Sequence, residues 1–209
     1  MPKVESFDRY TNRYEEWFEQ HPLVYQSELR AVKELLPAEG TGIEIGVGTG
    51  RFAVPSRIEF GLDPSLNMLR VAAERGIHVI GGQAEKLPFG TGVFDFALMV
   101  TTICFLDNVE AALHEVYRVL KPGGSLLIGF VDRHSSLGEK YQKNKAKNPF
   151  YREATFYTAE EVTSILKQAG YRDLIFRQTI FQSLESLQAI EPVEAGFGRG
   201  AFIVTRGEK

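Results

Sequence analysis

A run of acidic and glycine residues at Glu44–Gly50, Glu-Ile-Gly-Val-Gly-Thr-Gly, is the segment best suited to binding a ligand. Its glycines permit a tight turn and a close approach of the ligand to the backbone. A carboxylate at Glu44 would repel a pyrophosphate and attract an ammonium group. Asp63 follows 19 residues later, where nucleoside-binding sheets place a carboxylate for the ribose hydroxyls. Both acids also have purely structural alternatives, Glu44 as a cap in the turn and Asp63 as a helix cap.

The elements that must position these residues alternate between strand and helix. Apolar runs predict strands at Gly42–Ile45, 58–62, 77–80, Phe94–Val100, 125–131, 174–181 and 201–206. Amphipathic spacing and capping residues predict helices at 7–18 and 26–36, after Asp63, at 108–120 and from a capping box at Thr158 to Gly170. Strands that alternate with helices predict a mostly parallel sheet covered on both faces, with its ligand at the carboxyl ends of the strands. We expect one domain over 1–209, with an N-terminal helical cap at 1–38.

The glycine run does not match the dinucleotide fingerprint G-x-G-x-x-G. Its third glycine is Gly50, whereas the fingerprint requires a glycine at the position of Arg51. A nicotinamide-dependent oxidoreductase is the alternative enzyme, but Glu44 and the misplaced third glycine count against it.

Further motifs follow in order: Asp63-Pro64-Ser65 with Met68-Leu69, then 84–89, Phe94-Asp95 and 118–124. With the glycine run, they make the chain resemble the class I S-adenosylmethionine-dependent methyltransferases with a ubiquinone-biosynthesis-like core. The resemblance covers about 40–131, with a weaker match at 156–171. It implies an α/β, Rossmann-like three-layer sandwich with a seven-stranded, mostly parallel sheet whose last strand is antiparallel.

The resemblance also implies a cofactor, S-adenosylmethionine, which leaves as S-adenosylhomocysteine. The residues that it assigns to cofactor binding are Glu44, Gly46, Gly48, Gly50, Asp63, Pro64, Met68, Gln83 and Ala84. Gln83 stands where the family often has an acid for the adenine amino group, so this contact would lack charge assistance. A sulfonium methyl is already activated, so its in-line transfer needs positioning more than acid–base machinery.

The acceptor site is expected where the fourth predicted strand ends. Thr101 would form its floor and border the cofactor, and Cys104 would be a small wall residue. The four histidines lack metal-ligand spacing, so no metal is expected. His134 follows the fifth strand and is kept as a candidate base.

Two segments outside the core would shape the site. Tyr14 and its aromatic neighbours either cover the cofactor, with a ring face near the sulfonium, or pack on the core. The insertion at 133–155 carries six basic residues against two acidic ones, a net charge of +4. It either attracts an anionic acceptor or forms a solvated helix with a Glu139–Lys143 pair.

The composition limits the remaining choices. A net charge of −3 argues against nucleic acid as a partner, and a single cysteine against a fold that needs disulfides. No apolar run is long enough to span a membrane, so a cytoplasmic location is expected. The leading hypothesis is methyl transfer to a small molecule. A protein that binds S-adenosylmethionine without turnover is the alternative outside the enzymes.

Overall fold

The computed structural model describes residues 4–209. Within this range the helices are Glu5–Arg9 (α1), Thr11–Gln20 (α2), Pro22–Leu35 (α3), Leu66–Glu74 (α4), Val109–Val119 (α5), Ser136–Asn144 (α6) and Ala159–Gln168 (α7). The strands are Gly42–Ile45 (β1), Phe60–Asp63 (β2), His78–Gly81 (β3), Phe94–Val100 (β4), Leu120–Val131 (β5), Arg172–Thr179 (β6), Glu194–Ala195 (β7) and Phe202–Glu208 (β8). Short 3-10 turns occur at Val54–Ser56, Ile103–Phe105 and Lys145–Lys147.

The eight strands of the described chain form one sheet in the order β3-β2-β1-β4-β5-β8-β6-β7. The first five pair in parallel, whereas β8 is antiparallel to both β5 and β6. The mostly parallel α/β sheet and its antiparallel last strand are confirmed. The sheet differs from the expected seven strands by β7, which adds two residues beside β6. So short a strand has no hydrophobic run that the sequence would reveal.

The sheet is covered on both faces, as a buried parallel sheet requires. One face packs against α5 and α7 through side chains such as Leu113 and Leu166. The opposite face packs against α2, α3, α4 and α6 through side chains such as Val32 and Leu69. From Phe96 to Val100, consecutive residues of β4 alternate between the two cores, so this central strand is apolar after Asp95.

Two local features near the site differ from the sequence-based prediction. The single helix expected at 7–18 is divided at Tyr10, which lies between α1 and α2. Ser65, rather than Asp63, caps α4, because its hydroxyl accepts the Met68 N–H at 3.2 Å. The Asp63 carboxylate is thereby left for the loop and the cavity described below. The capping box of Thr158 and Glu161 is confirmed.

The carboxylate of Glu15 links helix α2 to the glycine loop through hydrogen bonds. It accepts hydrogen bonds from Thr49 and Arg51 in that loop and from Arg75 at the end of α4. Burial alone would raise the pKa of Glu15, but the hydrogen bonds from Arg75, Arg51 and Thr49 outweigh it and lower the pKa to about 2. The group therefore stabilises the fold above its ordinary pKa of 4.5, and this contribution is lost as the pH falls from 4.5 towards 2.

We expect Glu15→Gln to destabilise the protein by about 2 kcal/mol at pH 7, since two arginines lose a charged acceptor. Urea unfolding measures this loss, which should shrink as the pH approaches the pKa of Glu15. Glu19→Gln is the matched control, because Glu19 lies on the same helix, is 74% exposed and stands 4.0 Å from Arg51. Its effect should stay within about 0.5 kcal/mol. Equal effects of the two variants would contradict a special role for Glu15.

Candidate active site

A cavity of about 110 Å³ lies at the carboxyl edge of the sheet, where β1, β2 and β4 end. The strand order reverses between β1 and β4, and open α/β sheets bind ligands at such a crevice. Nine of the eleven residues predicted to contact the cofactor line this cavity: Tyr14, Gly46, Gly48, Asp63, Pro64, Met68, Gln83, Ala84 and Thr101. The other two, Glu44 and Gly50, do not line it.

The glycine loop forms one wall of the cavity with left-handed backbone. Gly46 has φ of 74°, and a Cβ there would lie 2.3 Å from the Thr102 Oγ1. Gly48 has φ of 52°, and its Cβ would lie 3.3 Å from the Tyr14 hydroxyl. Gly50 also has positive φ, but it packs towards Ile77. The lack of side chains at Gly46 and Gly48 therefore leaves the cavity wall free of steric clashes, whereas Gly50 allows close packing behind this wall.

Asp63 links the glycine loop to the start of α4. One carboxylate oxygen accepts the Gly48 N–H at 2.9 Å, and the other accepts the Ser65 N–H at 2.8 Å. Burial raises the pKa of Asp63 to about 6, partly offset by these two hydrogen bonds. Each oxygen of an ionised carboxylate has more than one acceptor site, so Asp63 keeps capacity for ligand hydroxyls.

Glu44 lies behind the cavity wall. Its side chain is buried, it accepts a hydrogen bond from the Ala53 N–H, and its Oε2 has no hydrogen-bond partner in the described structure. Burial raises the pKa of Glu44 well above its ordinary value, and the negative charge of nearby Asp63 adds to that effect. A cation bound in the cavity would relieve the repulsion between the two carboxylates.

The far end of the cavity combines α4 with the chain after β3. Pro64 and Met68 line it together with Gln83 and Ala84. Glu85, a cavity residue that the sequence analysis missed, accepts the backbone N–H groups of Asp107 and Asn108 at 3.0 and 3.2 Å. It thereby holds the segment after β4 beside the cavity.

Helix α1, part of the predicted N-terminal helical cap, lies beside the cavity, and its Phe7 was not among the residues predicted to border the cofactor. Phe7 lines the cavity, and its ring packs 5.0 Å from that of Phe105. The Asp8 carboxylate accepts the Ser65 hydroxyl at 2.6 Å, which fixes α1 beside α4. Tyr14 lines the cavity while Phe18 is buried in the core, so the aromatic face of the helix contacts both.

A second, smaller cavity of about 20 Å³ adjoins the first through Thr101, which lines both. Thr101 has φ of 51°, a left-handed conformation that is unusual for threonine. The other lining residues are Ile103, Cys104, Phe130, Val131, Tyr141, Tyr151, Phe156 and Tyr157. Cys104 is thus a wall residue, as expected, and its thiol donates to the Thr101 carbonyl.

The candidate base His134 is not part of either cavity. Its side chain is exposed, and its backbone N–H binds the Asp132 carboxylate at 2.7 Å in the turn after β5. Its position after β5 therefore does not bring the His134 imidazole to either cavity.

The basic insertion contributes apolar rather than charged groups to the site. Tyr141 and Tyr151 enter the smaller cavity, whereas Arg133 pairs with Glu161 at 2.5 Å and Lys140 pairs with Glu185. These ion pairs replace the expected pairing within α6. None of the six basic residues of the insertion lines either described cavity.

The fold and the site together define a class of protein, an α/β enzyme that binds a nucleoside-type cofactor at the switch point of its sheet. S-Adenosylmethionine fits the residues present. The absence of side chains at Gly46 and Gly48 leaves room for it, and Asp63 offers acceptors for its ribose. Its positive charge would favour the ionised forms of the Asp63 and Glu44 carboxyl groups, whose pKa values burial raises.

Comparisons with known proteins agree with this class. The Methyltransferase domain family matches residues 43–128. A crystal structure from Thermotoga maritima, of a SAM-dependent methyltransferase and possible histamine N-methyltransferase, shares 52% identity with a TM-score of 0.97 and covers 99% of both chains. An uncharacterized protein from Methanocaldococcus jannaschii is 42% identical over 97% of this chain and 98% of its own length. The chain belongs to the class I S-adenosylmethionine-dependent methyltransferases, and it is an enzyme of that family.

The expected likeness to ubiquinone biosynthesis is restricted to part of the chain. The mitochondrial 2-methoxy-6-polyprenyl-1,4-benzoquinol methylase of Xenopus laevis is 41% identical over 70 residues, which is 34% of this chain and 22% of that protein. Among residues 4–209, no helix is long and apolar enough to cross a membrane. No group of three or more potential metal ligands occurs within the same residues.

Proposed function

We propose that this enzyme transfers the methyl group of S-adenosylmethionine to a small-molecule acceptor by in-line displacement. The observation that carries the proposal is the pair of cavities that share Thr101, one beside the glycine loop and Asp63, the other enclosed by aromatic residues. Two adjoining cavities suit a cofactor and an acceptor whose reacting atoms must be brought into line.

The larger cavity supplies the groups that a cofactor of this kind requires. Asp63 would accept the ribose hydroxyls, and Gln83 and Ala84 would border the adenine beside Met68. The glycine loop and Tyr14 would surround the methionine part. When bound, S-adenosylmethionine supplies a methyl group on a positively charged sulfur, which is activated for attack without further acid catalysis.

The smaller cavity supplies positioning and the exclusion of water. Three phenols, those of Tyr141, Tyr151 and Tyr157, line it, and burial raises the pKa of each. They therefore remain protonated at neutral pH, and no histidine or carboxylate is present among the described lining residues. The arrangement favours an acceptor whose nucleophile needs no base in contact with it.

The size of this cavity supports a small acceptor. It has room for about one or two water molecules as it stands, so an acceptor must displace the aromatic side chains that close it. The description of the Thermotoga maritima relative as a possible histamine N-methyltransferase supports including amines among the candidates.

Cofactor choice is the first test. We expect titration calorimetry to detect S-adenosylmethionine and S-adenosylhomocysteine binding at micromolar concentrations, roughly −8 kcal/mol, and much weaker binding of NADH. Tighter binding of NADH would overturn the proposal. Cofactor binding without a methylated product across a broad set of small acceptors would instead favour the non-catalytic alternative.

A further inference from the structure

Thr101 is the only residue within 4–209 that lines both cavities. It follows the last residue of β4 and has φ of 51°. For a threonine, whose branched side chain crowds the backbone, this left-handed conformation is rare and costs free energy, whereas a glycine would adopt it without strain. Strained residues of this kind cluster at functional sites, where the surrounding structure holds them. The conformation of Thr101 therefore points to a use for its side chain.

Hydrogen bonds hold Thr101 in this conformation on both sides. Its N–H donates to the Gly129 carbonyl in β5 at 2.7 Å, and its carbonyl accepts the Cys104 thiol at 3.2 Å. In a regular strand, consecutive side chains point to opposite faces, yet Val100, Thr101 and Thr102 all line the larger cavity. The turn at Thr101 therefore ends this alternation and leaves the residue at the boundary between the two cavities.

The hydroxyl group of Thr101 differs from that of its neighbour in having no partner. The Thr102 hydroxyl donates to the Val100 carbonyl at 3.1 Å, whereas the Thr101 hydroxyl makes no hydrogen bond within residues 4–209. A threonine hydroxyl accepts a hydrogen bond as readily as it donates one, and it does so without taking up a proton. The boundary between the cavities therefore presents a free hydrogen-bonding group that can orient a ligand but cannot act as a base.

We propose that the Thr101 hydroxyl positions the acceptor by accepting a hydrogen bond from the N–H of a primary or secondary amine. This inference rests on the proposed methyltransferase function, and it names the substrate class and a residue in contact with the reacting nitrogen. The hydrogen bond fixes one corner of the tetrahedral nitrogen, so that the lone pair is held in line with the methyl group and the sulfur. A neutral tertiary amine has no N–H and cannot be held in this way.

The chemistry of a neutral amine balances without a proton transfer in the methyl-transfer step. Its lone pair forms a bond to the methyl carbon as the carbon–sulfur bond breaks, and the electron pair of that bond stays on sulfur. Positive charge passes from sulfur to nitrogen, and the products are a thioether and an N-methylammonium ion. The hydrogen bond to Thr101 becomes charge-assisted as this charge develops, so it is stronger in the transition state than in the bound substrate.

An alcohol or a phenol would behave differently, because its oxygen must lose a proton before or during the transfer. No histidine or carboxylate lines the smaller cavity in the described part of the chain, and a threonine hydroxyl does not accept the proton. The lining residues therefore favour nitrogen over oxygen as the methylated atom.

The test compares 2-phenylethylamine with its N-methyl and N,N-dimethyl derivatives at about pH 9, which raises the neutral fraction of each amine. Thr101→Val removes the hydroxyl and keeps the branched shape. We expect it to lower kcat for the primary and secondary amines by about tenfold, the effect of one hydrogen bond, and to leave the slower reaction of the tertiary amine unchanged. Thr101→Ser keeps the hydroxyl and should retain most of the activity. Product is measured by mass spectrometry.

A matched control separates the loss of this hydroxyl from a change in the fold. Thr163→Val removes a threonine hydroxyl from α7, where it donates to the Ala159 carbonyl at 2.7 Å and where Thr163 lines neither cavity. This variant should methylate all three amines as the unaltered enzyme does. The affinity of Thr101→Val for S-adenosylhomocysteine and its melting temperature should also be unchanged, because valine has the same shape as threonine.

Two glycine variants test whether the strained side chain serves the reaction. Thr101 and Asp173 both have φ of 51°, but Asp173 is exposed and lines neither cavity. Thr101→Gly and Asp173→Gly should both keep the melting temperature of the unaltered enzyme, because the relief of strain offsets the greater freedom of glycine in the unfolded chain. Only Thr101→Gly should lose methylation of the primary amine, by at least as much as Thr101→Val.

The inference is overturned if Thr101→Val methylates the primary and secondary amines as fast as the unaltered enzyme does, or if Thr101→Ser is as slow as Thr101→Val. It is also overturned if the enzyme methylates other small molecules but none of the three amines. A protein that does not bind S-adenosylmethionine, or that methylates no small molecule at all, would overturn the proposed function instead.

Discussion

Replacing Asp63 with alanine is expected to weaken S-adenosylmethionine binding by about 2 kcal/mol or more, roughly thirtyfold in Kd, because the ribose hydroxyls lose a charged acceptor. The effect has a second source. Gly48 and Ser65 lose the carboxylate that accepts their N–H groups, so the loop wall and the start of α4 are no longer tied together. Asp63→Asn keeps one acceptor oxygen, so its affinity for S-adenosylmethionine should lie between those of the unaltered enzyme and Asp63→Ala. Titration calorimetry on folded protein measures each affinity.

The pH dependence gives an independent check on Asp63. Its pKa of about 6 lies above the ordinary 3.8, so cofactor affinity should fall as the pH drops below 6 and the carboxylate becomes protonated. The control for Asp63→Ala is Asp95→Ala at the start of β4. Asp95 accepts the Thr41 N–H at 2.8 Å and does not line the cavity. An Asp63→Ala variant that folds and binds S-adenosylmethionine as the unaltered enzyme does would refute the assignment.

Gly46→Ala is expected to cost about 3 kcal/mol of stability and to abolish measurable cofactor binding. An alanine at φ of 74° carries a left-handed penalty of about 1–2 kcal/mol. Its Cβ would also lie 2.3 Å from the Thr102 Oγ1, and relieving such a collision typically costs about 1–3 kcal/mol. The loop or Thr102 must move, and both line the cavity. Urea unfolding and titration calorimetry measure the two losses.

The chain offers a matched control for the backbone penalty. Gly76 has φ of 88°, and a Cβ there would meet nothing within 4 Å. Gly76→Ala should therefore lose only about 1 kcal/mol and bind cofactor normally. Thr102→Ala in the Gly46→Ala background removes two of the colliding atoms and should restore part of the stability. If both glycine variants behaved alike, the close contact with Thr102 would not matter.

The features that the sequence predicted well are those whose cause is local. The bounds of β1 and β4 are confirmed because both are short apolar runs between polar turns. The capping box of α7 involves residues three positions apart, and the glycine loop owes its shape to its own positive φ angles. Seven of the nine predicted residues at the larger cavity lie at or just after strand ends, which a parallel sheet brings to one edge, whereas Tyr14 and Met68 lie on α2 and α4.

The features that the sequence did not reveal depend on partners far along the chain. Glu15 owes its importance to Arg51, which follows β1, and to Arg75, which follows α4. Glu28 has the spacing of an ordinary helical residue, and only the packing of α3 against the sheet shows that it is buried. For Phe7 the aromatic spacing identified a helix face, but not the cavity that this face covers.

Helix α1 has only five residues, yet it contacts both the start of α4 and the insertion at 133–155. Asp8 binds Ser65 on the cofactor side, while Ser6 donates to the Pro149 carbonyl at 2.7 Å and Phe7 packs against Phe150 on the insertion. Any displacement of the insertion that admits an acceptor therefore disturbs the same helix that lies beside the cofactor cavity. If the proposed function holds, we therefore expect the exchange of spent cofactor and the entry of the next acceptor to be kinetically coupled, because both would displace α1.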